Sequence, residues 1–141
     1  MNHTVESIMT RQVATVTPDQ SVQEAAQLMN EHNVGAIPVV ENGKVKGIIT
    51  DRDITLRTTA QGLTPSTPVS QVMTSDVVTG EPNMSVDEAA KVMAKNQIRR
   101  LPIVQNNALC GIVALGDIAT NQAYDEAAEQ ALSEISEPSY H

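Results

Sequence analysis

Residues 47–53 read GIITDRD, and residues 111–117 read GIVALGD. In both stretches an apolar run typical of a strand leads into a segment typical of a helix start, with an aspartate at the seventh position. A shift of 64 residues aligns 5–54 with 69–118 without a gap, and about 19 of the 50 aligned pairs are identical. An internal repeat therefore organises the chain.

The first half of each repeat predicts a strand followed by a helix. A β-branched run at 13–17 precedes the first helix, and both helices begin with a capping-box pattern, Ser21 with Glu24 and Ser85 with Glu88. Apolar residues at helical spacing predict one buried stripe on each helix: Val22, Ala25, Ala26 and Met29 in the first, and Val86, Ala89, Ala90 and Met93 in the second.

The second half of each repeat predicts a hairpin and a final helix. In the first copy, strands at 36–40 and 46–50 flank Asn42-Gly43, a pair typical of the type I′ turn. The second copy has Asn106-Asn107 at the matching place, which is a weaker form of the same signal. The final helices are predicted at 51–60 and 116–123.

We therefore predict a mixed α/β (α+β) fold made of two β-α-β-β-α repeats packed in pseudo-two-fold symmetry. The predicted division is 1–58 for the first repeat, 59–68 for a linker rich in Gly, Pro, Thr and Ser, 69–123 for the second repeat, and 124–141 for a C-terminal helix and tail. We expect the apolar face of that last helix to pack on its own domain or on a dimer mate, and the alternative is that it recruits another protein.

Composition excludes several classes of function. The chain has 141 residues, a formal net charge of -8, and no Phe or Trp. A negative field and the lack of stacking aromatics disfavour nucleic-acid binding. The single cysteine, the lack of a signal-peptide pattern and the lack of a long apolar run predict a cytoplasmic protein that is not in the membrane.

The pair Thr50 and Asp53 is the first candidate for a functional site. The spacing Thr-x-x-Asp is that of a capping box, in which both side chains satisfy the helix start. The same groups suit a nucleotide, because the Thr50 hydroxyl can meet a phosphate and the Asp53 carboxylate can accept from two vicinal ribose hydroxyls. Both interpretations stay open on spacing alone.

The repeated pattern, AIPVV at 36–40 followed by GIITDRD at 47–53, resembles the cystathionine-β-synthase (CBS) domain family. The resemblance covers about 115 of the 141 residues in two copies, so the chain is similar to a free-standing Bateman module. In that family, Gly, two apolar residues, Ser or Thr, two variable residues and Asp form the nucleotide-binding signature. The resemblance implies a regulatory module that binds an adenosine-containing nucleotide in the cleft between two repeats and signals to a partner protein in trans.

The resemblance also implies a role for each matching residue. Asp53 would hold the ribose hydroxyls, Thr50 would reach phosphate, and basic residues of the other repeat, Arg99 and Arg100, would bind phosphate oxygens. Neighbouring residues in a strand face opposite sides, so we expect one of the two arginines to face the ligand and favour Arg100. The adenine would lie against Ala14, Gly35, Ala36, Ile37 and Pro38.

The second copy departs from the signature. It keeps the aspartate as Asp117 but has Ala114 in place of the hydroxyl residue, and its adenine-side positions hold Arg99 and Arg100. We therefore predict one competent site for each chain and one degenerate site.

The sequence predicts neither a metal site nor a catalytic site. The three histidines, His3, His32 and His141, are scattered, so no metal site is predicted. No catalytic residues and no catalytic cofactor are predicted, which disfavours an enzyme. AMP, ADP, ATP, S-adenosylmethionine and a dinucleotide all stay open as the ligand. Family members pair into dimers, which implies a homodimer, and the alternative function is a nucleotide-independent interaction or dimerisation module.

Overall fold

The structure, a computed structural model, describes residues 3–119. Within this range the chain forms four α-helices and four strands. In chain order they are α1 (Val22–His32), β1 (Ala36–Glu41), β2 (Lys44–Thr50), α2 (Asp51–Ile54), α3 (Val86–Asn96), β3 (Arg100–Gln105), β4 (Ala108–Ala114) and α4 (Leu115–Ala119). The mixed α/β class is confirmed. No helix in this range is long and apolar enough to cross a membrane.

The two long helices begin at the predicted serines. The Ser21 hydroxyl accepts from the Glu24 backbone N–H at 3.1 Å, and the Ser85 hydroxyl accepts from the Glu88 N–H at 3.0 Å. Each glutamate carboxylate lies near the serine hydroxyl, at 3.4 and 3.3 Å. The serine caps are therefore confirmed, with the glutamate accepting from the serine side chain.

The predicted apolar stripes face the cores. Seven of their eight residues are buried, and Ala26 alone is half-buried. The three buried residues of the α1 stripe belong to the cluster Val16, Val22, Ala25, Met29, Ile37, Val39, Ile49, Val69 and Val72. The α3 stripe belongs to the cluster Val5, Met9, Val86, Ala89, Ala90, Met93, Ala94, Leu101, Ile103, Val113, Leu115 and Ile118.

Both hairpins have the turns that the sequence predicts. Asn42 and Gly43 have φ of 54° and 78°, and Asn106 and Asn107 have φ of 54° and 65°. Positive φ at both central residues is the mark of a type I′ turn, which matches the twist of the flanking strands. Asparagine adopts this backbone conformation more readily than most residues, so the second hairpin keeps the turn without glycine.

The first strand of each repeat is shorter than predicted. Of the run at 13–17, only Val16 pairs, donating to the Pro38 carbonyl at 3.2 Å and accepting from the Val40 N–H at 2.8 Å. The next N–H, that of Thr17, bonds to the Gln20 side chain at 2.8 Å. Pro18 follows and has no N–H, so the ladder ends there.

The final helix of the first repeat begins at the predicted residue but changes its winding. After α2, Thr55–Thr59 forms a π-helical turn, closed by a hydrogen bond of 2.9 Å from the Ala60 N–H to the Thr55 carbonyl. In the second repeat α4 is described as far as Ala119. The rest of that predicted helix and the predicted C-terminal helix and tail at 124–141 lie outside the described residues.

The described residues form two compact units that exchange short segments. The first-repeat unit contains 13–77 and 107–109, and the second-repeat unit contains 3–12, 78–106 and 110–119. Residues 3–12 therefore pack with the second repeat, and 69–77 pack with the first. The division at 1–58 and 69–123 stays a prediction about the sequence repeat, whereas the packing follows these exchanged segments.

A close backbone contact fixes the exchanged segment in the first-repeat unit. Ile48 and Thr74 exchange two backbone hydrogen bonds, each of 2.9 Å. A Cβ atom on Gly47 would lie 2.7 Å from the Thr74 carbonyl oxygen and 2.8 Å from the Met73 sulfur. Only glycine fits at this position, which explains why the repeat keeps Gly47 together with the Met-Thr pair.

The second-repeat unit repeats this contact. Thr10 and Ile112 exchange two backbone hydrogen bonds of 2.9 Å. A Cβ atom on Gly111 would lie 2.7 Å from the Thr10 carbonyl oxygen and 2.8 Å from the Met9 sulfur. The same packing rule therefore holds in both units.

We expect Gly47→Ala and Gly111→Ala each to lower the free energy of unfolding by about 1–3 kcal/mol, because the added methyl group overpacks against backbone. Gly116→Ala is the matched control, since a Cβ there meets nothing within 4 Å. That change should leave stability unchanged or raise it by up to about 1 kcal/mol, as alanine favours helix. Urea unfolding followed by circular dichroism measures all three. Equal effects at the three glycines would contradict this account.

Candidate functional site

The junction of β2 and α2 forms a reciprocal capping box. The Thr50 backbone N–H donates to the Asp53 Oδ2 atom at 3.0 Å, and the Asp53 N–H donates to the Thr50 Oγ1 atom at 3.0 Å. The capping interpretation of Thr50 and Asp53 is thus confirmed. The nucleotide interpretation needs acceptor capacity beyond these two bonds.

The second carboxylate oxygen of Asp53 faces the exchanged segment. Asp53 is only 9% exposed, and its Oδ1 atom accepts from the Thr74 hydroxyl at 3.4 Å and lies 3.9 Å from Arg57 Nε. The Arg57 Nη1 group donates to the carbonyls of Val72 and Met73, both at 3.3 Å. The Arg57 guanidinium therefore links the signature aspartate to two residues that lie 15 and 16 positions after Arg57 in the chain.

Gly35 lies directly beside this junction. The Asp51 N–H donates to the Gly35 carbonyl at 2.9 Å, and a Cβ on Gly35 would come within 3.1 Å of the Asp51 carboxylate. The matching pair in the second-repeat unit is Leu115 and Arg99, with a hydrogen bond of the same 2.9 Å. The backbone geometry is thus repeated, while the side chain at this position changes from hydrogen to a cation.

The other predicted adenine-side residues differ in their accessibility. Ala14 and Ala36 are half-buried, whereas Ile37 and Pro38 are buried. Ile37 is fully enclosed in the apolar cluster of its unit. A ligand near this strand would therefore meet its backbone and Ala36 before the side chains of Ile37 and Pro38.

The second copy keeps one half of the capping geometry. The Ala114 N–H donates to the Asp117 Oδ2 atom at 3.0 Å, the same bond that Thr50 makes with Asp53, but residue 114 has no hydroxyl. Arg99 is exposed and Arg100 is half-buried, and both belong to the second-repeat unit. The predicted site residues are therefore divided between the two units.

Sequence reasoning missed two residues that contact Asp53. Thr74 belongs to the repeated Met-Thr pair, so its place in the alignment was a usable signal. Arg57 aligns with Asn121 at the same shift of 64, which marks it as a feature of the first copy alone. Asn121 itself lies outside the described residues.

An open pocket lies beside this junction. The pocket, of about 370 Å³, is lined by Asp51, Arg52, Thr55 and Leu56, on α2 and the turn that follows it. Among residues 3–119, no group of three or more His, Cys, Asp or Glu side chains is placed to hold a metal ion.

Comparison with known proteins identifies the family. The family model described as CBS domain matches residues 5–57 and 69–124. The chain belongs to the CBS domain family. Its two matches make it a tandem pair of CBS domains, which is a regulatory module.

Relatives match over nearly the full chain. The chain is 61% identical over 137 residues to the CBS domain-containing protein YhcV of Bacillus subtilis (strain 168), covering 97% of this chain and 98% of that protein. It is 36% identical over 118 residues to Hypoxic response protein 1 of Mycobacterium tuberculosis, covering 82% of each.

Solved structures of CBS pairs share the fold. One is the CBS domain pair of protein MJ0100 in complex with 5′-methylthioadenosine and S-adenosyl-L-methionine, with a TM-score of 0.77 and 31% identity, covering 85% of this chain and 95% of that one. The resemblance to a CBS domain pair, stated above from the residues, is thus confirmed.

We expect Thr50→Ala to lower the free energy of unfolding by about 1 kcal/mol, because the Asp53 N–H loses its acceptor. Thr55→Ala removes a hydroxyl on the same helical segment that bonds only to the Asp51 carbonyl, at 3.0 Å. It should change stability by less than about 0.5 kcal/mol, since alanine is the better helix former. Thermal and urea unfolding by circular dichroism measure both variants. A Thr50→Ala variant as stable as Thr55→Ala would contradict the capping role.

Proposed function

We propose that this CBS pair senses an adenosine-containing ligand, such as AMP, ADP, ATP or S-adenosylmethionine, at the Thr50–Asp53 junction of the first-repeat unit. Ligand binding then controls a partner protein in trans. The observation that carries the proposal is the Asp53 carboxylate: its Oδ2 atom is fixed by Thr50, while the contacts of its Oδ1 atom with described residues, Thr74 and Arg57, are long, at 3.4 and 3.9 Å. MJ0100, a CBS pair of the same fold, binds ligands that contain adenosine.

Acceptor capacity at Asp53 supports ribose binding. A carboxylate offers about four lone-pair positions, and the hydrogen bonds from Thr50 and Thr74 use two of them at 3.0 and 3.4 Å. A ribose presents two adjacent hydroxyls, which suit the remaining positions. The capping bond at Oδ2 orients the carboxylate in advance, so little conformational freedom is lost on binding.

The small residues beside the junction support adenine binding. Gly35 brings its backbone next to the Asp51 side chain without a Cβ, and Ala36 adds only a methyl group. Residues 35 and 36 therefore place no long side chain against a ring that lies along this backbone. The second copy has Arg99 and Arg100 at the matching positions, which supports the proposal that the chain has one working site.

Two further parts of the proposal concern the arginines that would bind phosphate and the oligomeric state of the protein. Arg99 and Arg100 are assigned to phosphate by resemblance to the family, and Arg100, which is half-buried where Arg99 is exposed, is the favoured candidate. The pair is proposed to act as a homodimer in the cytoplasm and not as an enzyme.

One observation favours the alternative, a nucleotide-independent interaction module. Asp53 already makes a complete capping box, so it has a structural role without any ligand. Leu56 is 46% exposed and Leu63 is 43% exposed, which gives the first-repeat unit apolar surface for a protein partner. Binding of nucleotides separates the two functions.

We expect isothermal titration calorimetry to detect one site for each chain with at least one of AMP, ADP, ATP, 5′-methylthioadenosine and S-adenosylmethionine. Asp53→Asn should weaken binding at least about tenfold, because a neutral amide replaces an acceptor-only carboxylate. Arg100→Ala should weaken the phosphate-bearing ligands and spare 5′-methylthioadenosine.

Asp117→Asn is the matched control for Asp53→Asn. It makes the same chemical change at the aligned position, where the same 3.0 Å backbone bond is present. Binding should persist in this variant. Loss of binding in Asp117→Asn but not in Asp53→Asn would place the site in the second copy and contradict the proposal. No binding of any ligand in the panel would favour the interaction module.

A further inference from the structure

The contacts of Arg57 point beyond the ligand site to its regulation. Asp53 and Arg57 are four residues apart, with Oδ1 and Nε separated by 3.9 Å. The same guanidinium donates to the carbonyls of Val72 and Met73, each at 3.3 Å. The Arg57 side chain therefore contacts both Asp53, which is proposed to bind ribose, and the segment that contains Val72 and Met73.

We propose that Arg57 is a positioning residue that couples ligand binding at Asp53 to the segment 72–74. The inference rests on the proposed function, because it assigns a regulatory consequence to the same site. In this proposal, ligand binding orders the segment 72–74. That segment leads to Val77 and Val78, where the chain passes from the first-repeat unit to the second-repeat unit.

The segment has a second tie to the same carboxylate. The Thr74 hydroxyl donates to Asp53 Oδ1 at 3.4 Å, and its backbone is paired with Ile48, two residues before Thr50. Opening of 72–74 therefore removes the Thr74 hydroxyl from Asp53 and, at the same time, the two carbonyl acceptors from Arg57. A ligand that binds only when Asp53 is held suppresses this opening in proportion to its saturation.

The winding of the helix supports a functional origin for the Arg57 contact. Arg57 lies in the π-helical turn Thr55–Thr59, and π-turns inside helices are frequent at functional sites. This turn carries a cost, because the Thr58 hydroxyl is buried and has no hydrogen-bond partner among the described residues. A regular α-helix would let that hydroxyl bond to the carbonyl four residues earlier.

The first copy alone carries this arrangement in its sequence. The aligned residue of the second copy is Asn121, which carries no charge. The hydroxyl at Thr50 and the guanidinium at Arg57 therefore occur together, in the copy that is proposed to bind ligand.

Hydrogen exchange of backbone amides tests the coupling. The N–H groups of Val72, Met73 and Thr74 are all hydrogen-bonded to backbone carbonyls, so their exchange reports opening of the segment. At a concentration of about 100 times the dissociation constant, a ligand suppresses any opening that releases it by about a hundredfold. In the wild type, with AMP or S-adenosylmethionine as the probe, exchange at 72–74 and at 50–53 should slow by about tenfold to a hundredfold.

Arg57→Met should keep ligand protection at 50–53, lose most of it at 72–74, and weaken binding several-fold. Arg57→Lys should recover part of both effects, because lysine keeps the charge but has one nitrogen where the guanidinium places Nη1 at the two carbonyls and Nε near the carboxylate. Thr74→Val, which removes only the hydroxyl, should give a smaller loss at 72–74. If Arg57→Met fails to fold, Arg57→Lys and Thr74→Val carry the same comparison.

Arg11→Met is the control for loss of a surface ion pair. Arg11 lies 3.9 Å from Glu6, the same separation as Arg57 from Asp53, and belongs to the second-repeat unit. It should leave ligand protection at 72–74 as in the wild type.

Two failures are distinguishable. Ligand binding with equal protection at 72–74 in the wild type and in Arg57→Met would overturn the coupling and leave the proposed function standing. No binding of any ligand of the panel to the wild type would overturn the proposed function, and the coupling with it.

Discussion

The close approach of the Met-Thr pair to a glycine is the constraint on which both units depend. In the first-repeat unit, Thr74 and Ile48 exchange two backbone hydrogen bonds, and Gly47 makes room for them. This contact fixes a segment far along the chain against the strand that carries the signature. It also brings the Thr74 hydroxyl to Asp53 and the Val72 and Met73 carbonyls to Arg57. The contacts of Asp53 and Arg57 with this segment therefore depend on the absence of a side chain at Gly47.

The two copies share a backbone and differ in what that backbone presents. The hydrogen bond from residue 50 or 114 to its aspartate measures 3.0 Å in both, and the bond from residue 51 or 115 to residue 35 or 99 measures 2.9 Å in both. The side chains at these places are Thr50 and Gly35 in one copy and Ala114 and Arg99 in the other. The two copies therefore share these backbone hydrogen bonds and differ in a few side chains at the same positions.

Local features of the fold were predictable, and long-range ones were not. The serine caps, the apolar stripes, the type I′ turns and the Thr50–Asp53 capping box all follow from residues within seven positions of one another. The exchange of 3–12 and 69–77 between the units is a tertiary contact that leaves no local signal. The contacts of Arg57 are made to that exchanged segment, so spacing alone did not find them. The first strand is short because the Thr17 N–H donates to the Gln20 side chain, a hydrogen bond that spacing did not predict.

The central claim is that an adenosine-containing ligand binds at the Thr50–Asp53 junction and not at its counterpart, Ala114–Asp117. The most direct measurement is a nuclear magnetic resonance titration of the isotope-labelled chain with AMP and with S-adenosylmethionine, following the backbone amides of both junctions. The account predicts that the signals at 50–53 shift and saturate at one ligand for each chain, while those at 114–117 change little. Equal shifts at both junctions, or none at either, would contradict it.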